Sequence, residues 1–414
     1  MNRRVVVIGG GAAGLSAAYT ARERGARVTI VSAGVGTSAL GGGVVDDLPW
    51  ETWFVAARTL GEPPKLRPLP DDVLAFCSAL GVWDIPRDGH APVVATAAGR
   101  LRPARGRDRG LLDLGALRQT TVLMPRLSRA NWDADALGAT LESEALAREA
   151  ELRFVPVDAP VLRFTDETRI SDADLALRHD EPARLAWLAE RLSALVADMR
   201  RTTSVGAVLL GSWLGGQRER ASELSARVGV PVGEVLVGVG SSAGLRFETA
   251  VESFVQNQSL DVVMDRVTAI RRSGERFDVE LSGKTVLTAD AIVLAVGGVA
   301  SGGIVYTPPD LEAGEDVPER INAAYSFGVP TVGLDVPLVV DGARVDAGSS
   351  VFGPPLDTTA WPSDRRASTL ESVGIEARDG LVCPGVYAAG DVLAGKRRTM
   401  LEAIASGLRV GRIV

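Results

Sequence analysis

The chain has 414 residues, 46% of them hydrophobic and 23% charged, which is enough apolar material for a large core and for two domains or one elaborated one. A formal net charge of −7 excludes a global attraction for nucleic acid or an anionic membrane, so any anion site has to be built locally. Two distant cysteines, Cys77 and Cys383, lacking CxxC or metal-ligand spacing, exclude an encoded disulfide framework or iron–sulfur cluster.

Residues 4–8, Arg-Val-Val-Val-Ile, are a β-branched run of strand length that ends at glycine; Leu15, Ala18 and Ala21 then recur at helical spacing up to Gly25. A second strand is predicted at 27–31. Strand, turn, helix and strand within about thirty residues are the opening unit of a doubly wound sheet. Residues 34–48 are rich in glycine and small side chains, a short helix follows, and the prolines of 63–71 mark a boundary. Residues 71–82 read as a helix and 90–114 as a strand pair turned at Ala98-Gly99. Two Ala/Leu-rich helices are predicted at 131–152 and 181–202, with a strand at 152–157 between them. After a helix ending near Asn257, short strands with Ser-Gly turns predict an antiparallel meander that returns to the parallel sheet. The stretch from 385 reads as strand, turn and closing helix. The expected class is α/β: a doubly wound Rossmann-like domain over 1–62, 244–305 and 380–414, with an inserted α+β substrate or capping domain over 63–243 and 306–379.

Gly9, Gly11 and Gly14 form GxGxxG after a strand and at the start of a helix, the context that gives the pattern meaning. Gly9 permits the tight turn, Gly11 the approach of a pyrophosphate, and Gly14 close helix–strand packing. The helix N-terminus, with Ala12 and Ala13 in its first turn, offers free N–H groups and partial positive charge to phosphates. The ribose-binding acid expected at the end of the second strand is missing; Ser32 stands there, and its hydroxyl offers only a weaker hydrogen bond. A second glycine stretch, "VGVGSSAG" (237–244), has the wrong spacing and no acid in register, so no nicotinamide site is read there.

"TADAIVLAVGG" (288–298) and "GVYAAGDV" (385–392) resemble the second and third signatures of the FAD-dependent oxidoreductase superfamily, in its order and at its distances. The resemblance implies an FAD-binding domain in which Gly390 and Asp391 hold the ribityl chain and pyrophosphate. The following helix, from Thr399 and Met400, then aims its N-terminus at the flavin C2 carbonyl. It implies further cofactor contacts from Val267, Val296, Gly297 and Gly298, and from Ser38, Ala39, Gly41, Gly42 and Gly43 along the flavin ring. That last segment holds no histidine, so noncovalent binding is expected.

Within the superfamily the chain is similar to the B subunit of anaerobic glycerol-3-phosphate dehydrogenase, on "TSALGGGVVDDLP" (37–49), "ELSARVGVPVGEVLVGVGSSAGLRFETA" (223–250) and "IVLAVGGVASGGIVY" (292–306). This implies a cytoplasmic flavin subunit beside a catalytic flavoprotein and an iron–sulfur, membrane-associated partner, passing electrons from a polyol phosphate toward quinone. That family's use of FMN makes FMN the alternative cofactor; the full GxGxxG ranks FAD first. The low cysteine count suits a reducing cytoplasm, and no run of about 18 apolar residues predicts a membrane span.

Lys396, Arg397 and Arg398 stand beside the first turn of the closing helix, an unfavourable end for cations unless an anion is present; they are the catalytic candidates, Arg398 first. Arg100, Arg102, Arg105, Arg107 and Arg109 crowd one hairpin, either as an anion or partner surface or as a solvated face. His90 and His179 sit in no motif. The expected function is that of a flavin oxidoreductase subunit that relays electrons to a partner. The alternatives are a self-contained fumarate-reductase-like dehydrogenase acting on a small anion, and a non-catalytic scaffold.

Overall fold

The computed structural model describes residues 3–34, 36–307, 325–329, 332–334, 336–340, 343–345, 350–351 and 371–414. The chain divides into two compact units, 1–38 with 255–414, and 39–254. Residues 39–62 and 244–254, expected with the Rossmann-like domain, thus fall in the other unit. The described part of 306–379, expected in the capping domain, falls in the first unit. Residues 308–324 and 352–370 lie outside the described residues.

In the first unit, β1 (Arg4–Ile8), α1 (Ala12–Glu23) and β2 (Arg27–Ser32) follow one another as the sequence predicts. Hydrogen bonding orders the main sheet as 261–264, β2, β1, 291–294, 386–388 and 381–383. The first five strands are parallel, with Val5 opposite Ala291 and Arg4 opposite Arg27; only 381–383 runs antiparallel. A parallel sheet is covered on both faces, which is why β1 reads as a near-continuous run of Val and Ile. The strand 261–264, expected in the antiparallel meander, is instead the parallel edge beside β2. The meander itself is 267–273, 276–281 and 286–289, and its Phe277 and Val279 join Val6, Ile292 and Leu294 in one core.

The helix Met400–Ile413 packs on α1 at backbone distance. A Cβ on Gly407 would lie 2.2 Å from the Ala13 carbonyl oxygen, and one on Gly411 2.5 Å from that of Ala17. Ser16 Oγ donates across the same contact to the carbonyl oxygen of Ile404, at 3.1 Å.

The unit 39–254 holds its own four-stranded sheet in the order 232–234, 205–210, 120–126 and 152–158, parallel throughout. Helices 134–142, 182–199 and 221–228 connect these strands, and Met124, Leu192, Leu210 and Trp213 lie in its core. Of its four strands, 205–210 and 120–126 carry no signal in the sequence pattern, which points to 152–157 and to a short strand before 237. The strand pair expected over 90–114 is present as 93–95 against 101–103, and 44–45 pairs with 106–107.

His179 is fully buried in this unit, with Nδ1 2.7 Å from the Trp213 carbonyl oxygen. Burial, then the charge of Arg184, pushes its pKa from 6.5 down to about 4. As pH falls through that window the unfolded chain takes up a proton that the folded chain refuses, so stability rises with pH between these values. The loss on acidification amounts to about 3 kcal/mol from this one group, at roughly 1.4 kcal/mol per unit. Urea melts at neutral pH and near pH 4 check it: His179→Asn is expected to shrink the difference between them, and an unchanged difference would assign it to other groups.

Candidate functional site

A cleft of about 1100 Å³ opens along the C-terminal ends of the parallel strands of the first unit. Such an edge is where doubly wound sheets bind ligands. Ile8, Ser32, Met264, Leu294 and Ala389, each at or just past a strand end, line it together with Gly9 to Ala13 at the start of α1.

Two glycines make this geometry possible. Gly9 has φ +113°, and a Cβ there would stand 2.1 Å from the Ala295 carbonyl oxygen; a Cβ on Gly14 would stand 1.9 Å from the Gly9 carbonyl oxygen. Side chains are thereby kept out of the turn, and α1 starts directly above β1. The first turn of α1 holds no acidic residue, and Ser38 Oγ accepts from the Ala12 amide at 3.2 Å. A helix start of this kind, with free amides and no acid in its first turn, suits an anion.

The cleft brings together half of the residues the sequence selects. Gly9, Gly11, Ala12, Ala13, Ser32, Ser38, Val267, Val296, Gly297, Gly390 and Asp391 line it, and Gly14 packs directly beneath Gly9. Gly390 meets α1, where its missing Cβ would be 2.7 Å from that of Ala13, and its amide donates to Ser406 Oγ at 2.8 Å. Ser301 Oγ donates to the carbonyl oxygens of Val296 and Gly298, at 3.3 and 3.1 Å, which shapes the loop after 291–294.

Other expected residues lie elsewhere. Ala39, Gly41, Gly42 and Gly43 belong to the unit 39–254, where a Cβ on Gly42 would strike the Val237 carbonyl oxygen at 1.9 Å and the Gly43 carbonyl accepts from the Asp108 amide. Thr399 caps the helix Met400–Ile413 by accepting from the Glu402 amide, and Glu402 places a carboxylate in the first turn. An acid in the first turn suits the positive end of the helix. Lys396, Arg397, Arg398, Gly298, Thr399 and Met400 are not in the cleft wall; Ala403, one turn further on, is.

Arg398 stands behind Asp391 rather than in the cleft. Its guanidinium donates to the Val373 carbonyl oxygen at 2.9 Å, and both it and Asp391 pack on Gly298. Burial pushes the Asp391 carboxyl up and Arg398 pulls it back, leaving it raised.

The arginine hairpin is engaged inside its own unit. Arg102 pairs with Asp46 at 2.6 Å, Arg107 with Asp84 at 3.2 Å and Arg100 with Glu144 at 2.8 Å. Arg105 is fully buried and donates to the Pro86 carbonyl oxygen at 2.6 Å. Among the described residues, Arg109 of this hairpin is exposed, as is His90.

Sequence reasoning missed Asp265, Arg266 and Thr268 in the cleft wall. Their signal was positional: they follow a strand that was assigned to the meander.

Residues 4–49 match the family model described as FAD binding domain. Together with the start of α1 and the cleft, this defines the class of the first unit: an FAD-binding domain of Rossmann-like fold. The chain is similar to the probable B subunit of anaerobic glycerol-3-phosphate dehydrogenase from Halobacterium salinarum, with 29% identity over 336 residues, 73% of this chain and 77% of that protein. Among solved structures, the bacillithiol disulfide reductase Bdr of Staphylococcus aureus gives 11% identity and a TM-score of 0.30, over 100% of this chain and 98% of that one. The Diels-Alderase PyrE3 gives 11% identity and a TM-score of 0.32 over 98% of this chain, which spans 63% of that one. No helix among the described residues is long and apolar enough to cross a membrane.

Proposed function

We propose that the chain is a flavin subunit of a glycerol-3-phosphate-dehydrogenase-like assembly, holding FAD noncovalently and relaying electrons between a small anionic substrate and a partner subunit. The supporting observation is the meeting of three distant sequence signatures, at 9–14, 296–297 and 390–391, in the wall of one cleft. Bound there, FAD would supply a two-electron acceptor. The amides of α1 bind the pyrophosphate, the Asp391 carboxyl accepts from the ribityl hydroxyls, and Arg398 positions Asp391 from behind. Neither histidine nor cysteine lines the cleft among the described residues, which fits noncovalent binding. The unit 39–254 takes the substrate- or partner-facing role. The similarity to one component of a multi-subunit dehydrogenase makes a catalytic flavoprotein and an iron–sulfur protein the partners to test.

An absorbance spectrum of the purified chain, with chromatography of the released cofactor, tests the first part: FAD is expected, released FMN would correct the cofactor, and a colourless chain that takes up neither would overturn the reading. Anaerobic mixing with glycerol 3-phosphate tests the second. Sustained turnover with a dye acceptor by the isolated chain would make it a self-contained dehydrogenase instead.

A further inference from the structure

In a strand-turn-helix-strand dinucleotide site the ribose acid sits at the end of the second strand. Here that position is Ser32, whose one hydroxyl proton goes to the Gly34 carbonyl oxygen at 2.9 Å, which leaves a neutral oxygen, a weaker acceptor than a carboxylate. The side chain also fills the space beside Gly10, where a Cβ would come within 2.9 Å of Ser32 Oγ. The neighbouring strand 261–264 runs parallel to β2 with Met264 opposite Ser32, so the next residue, Asp265, emerges at the same edge of the sheet. The Asp265 amide donates to the Ser32 carbonyl oxygen at 3.1 Å, and Asp265 lines the cleft between Met264 and Arg266.

We propose that Asp265 replaces the missing acid of β2 and accepts a hydrogen bond from the adenosine ribose, a role that rests on the FAD reading and deepens it. A carboxylate offers about four lone-pair sites. Oδ1 accepts from the Arg266 amide at 2.6 Å and from the Ser282 hydroxyl, while Oδ2 accepts from the Gly283 amide, at 3.1 Å. One site on Oδ2 is left for a ribose hydroxyl. The Ser282 hydroxyl, then the amides of Arg266 and Gly283, also hold the carboxyl below the usual range, so it meets that hydroxyl ionised. The sheet order puts this end of the cleft at β2 and 261–264, and Asp391 at the other, beyond 386–388. A ligand whose pyrophosphate sits on α1 therefore reaches Asp265 with its adenosine half and Asp391 with its flavin half.

The test uses the two flavins, because FMN lacks the adenosine. The full-length apoprotein, its Asp265→Asn variant and its Ser282→Ala variant are titrated separately with FAD and with FMN, and each apoprotein is melted. Asp265→Asn keeps an acceptor for the 282–283 turn and loses the charge. It is expected to weaken FAD roughly tenfold or more and to leave FMN unchanged. Ser282→Ala, which removes a cleft-lining hydroxyl that holds the Asp265 carboxylate but leaves the carboxylate itself, is expected to weaken FAD less than Asp265→Asn does and to leave FMN unchanged. Equal weakening of both flavins by Asp265→Asn, or no weakening of FAD, would show that Asp265 is a turn cap alone and overturn the proposal. If the wild type binds neither flavin, the FAD reading fails, and the proposal with it.

Discussion

Gly14→Val is expected to abolish measurable FAD binding and to loosen the unit formed by 1–38 and 255–414. The Cβ alone would stand 1.9 Å from the Gly9 carbonyl oxygen, and Ala295 Cβ is already 3.3 Å away on another side. The helix can only respond by lifting off β1, which withdraws its N-terminal amides from the phosphate position. Overpacking of this kind costs about 3 kcal/mol or more, and if it fell wholly on the bound state it would weaken binding roughly a hundredfold. Flavin titration and a urea melt of the same preparation measure both effects. Gly238→Ala, at a position with nothing within 4 Å of the added Cβ, serves as the control and is expected to behave as wild type. Undiminished FAD affinity in Gly14→Val would remove the start of α1 from the cofactor site.

The second large effect belongs to the unit 39–254. Arg246 is buried and reaches Asp108 Oδ1 and Glu234 Oε2, both at 2.6 Å, and it donates to the Gly215 carbonyl oxygen at 2.7 Å. Ser242 Oγ donates to the Glu234 carboxylate at 2.8 Å. Arg246 thus ties the strand 106–108, the loop after 205–210, the strand 232–234 and the helix Ser242–Asn257 to one point. Burial pushes the Glu234 carboxyl up, and Arg246 opposes this. Arg246→Ala leaves two buried carboxyls facing each other across a cavity. Removing one member of such a network typically costs about 3–5 kcal/mol. Thermal and urea melts should show a large drop, smaller for Arg246→Ala with Asp108→Asn, which relieves one charge. A loss below about 1 kcal/mol, as at an exposed pair, would mean that water enters and solvates the site.

The local parts of this fold were legible. The run of Val and Ile in β1, the glycines after it and the helical spacing of Leu15, Ala18 and Ala21 are short-range signals, and the elements fall where they point. What escaped depended on partners far away in sequence. Five arginines within ten residues look like a solvated face until Asp46, Asp84, Glu144 and the Pro86 carbonyl arrive from other segments to pair with them. The parallel sheet of 39–254 was hidden because its strands are joined by long helical crossovers rather than by turns with a recognisable chemistry. Arg398 is near Asp391 in the chain and in space, yet its position behind the carboxylate, not in front of it, is a matter of packing against Gly298 and Val373. Asp265 was missed because a neighbour across a sheet has no fixed sequence offset.

The backbone contact between α1 and the helix Met400–Ile413 has a consequence for the order of events during synthesis. The glycine turn at 9–14 is made long before the segments that hold it: Ser16 clamps it to Ile404, a separation of 388 residues, and β1 needs 291–294 beside it. Chain closure over such distances is slow, and segments waiting for it stay exposed. A nascent chain therefore carries this turn unassembled until 291–294 and Ile404 have been made, while the unit 39–254, continuous in sequence, can fold first. Completion of the glycine turn is thus a late event, tied to the emergence of residue 404 rather than of residue 14.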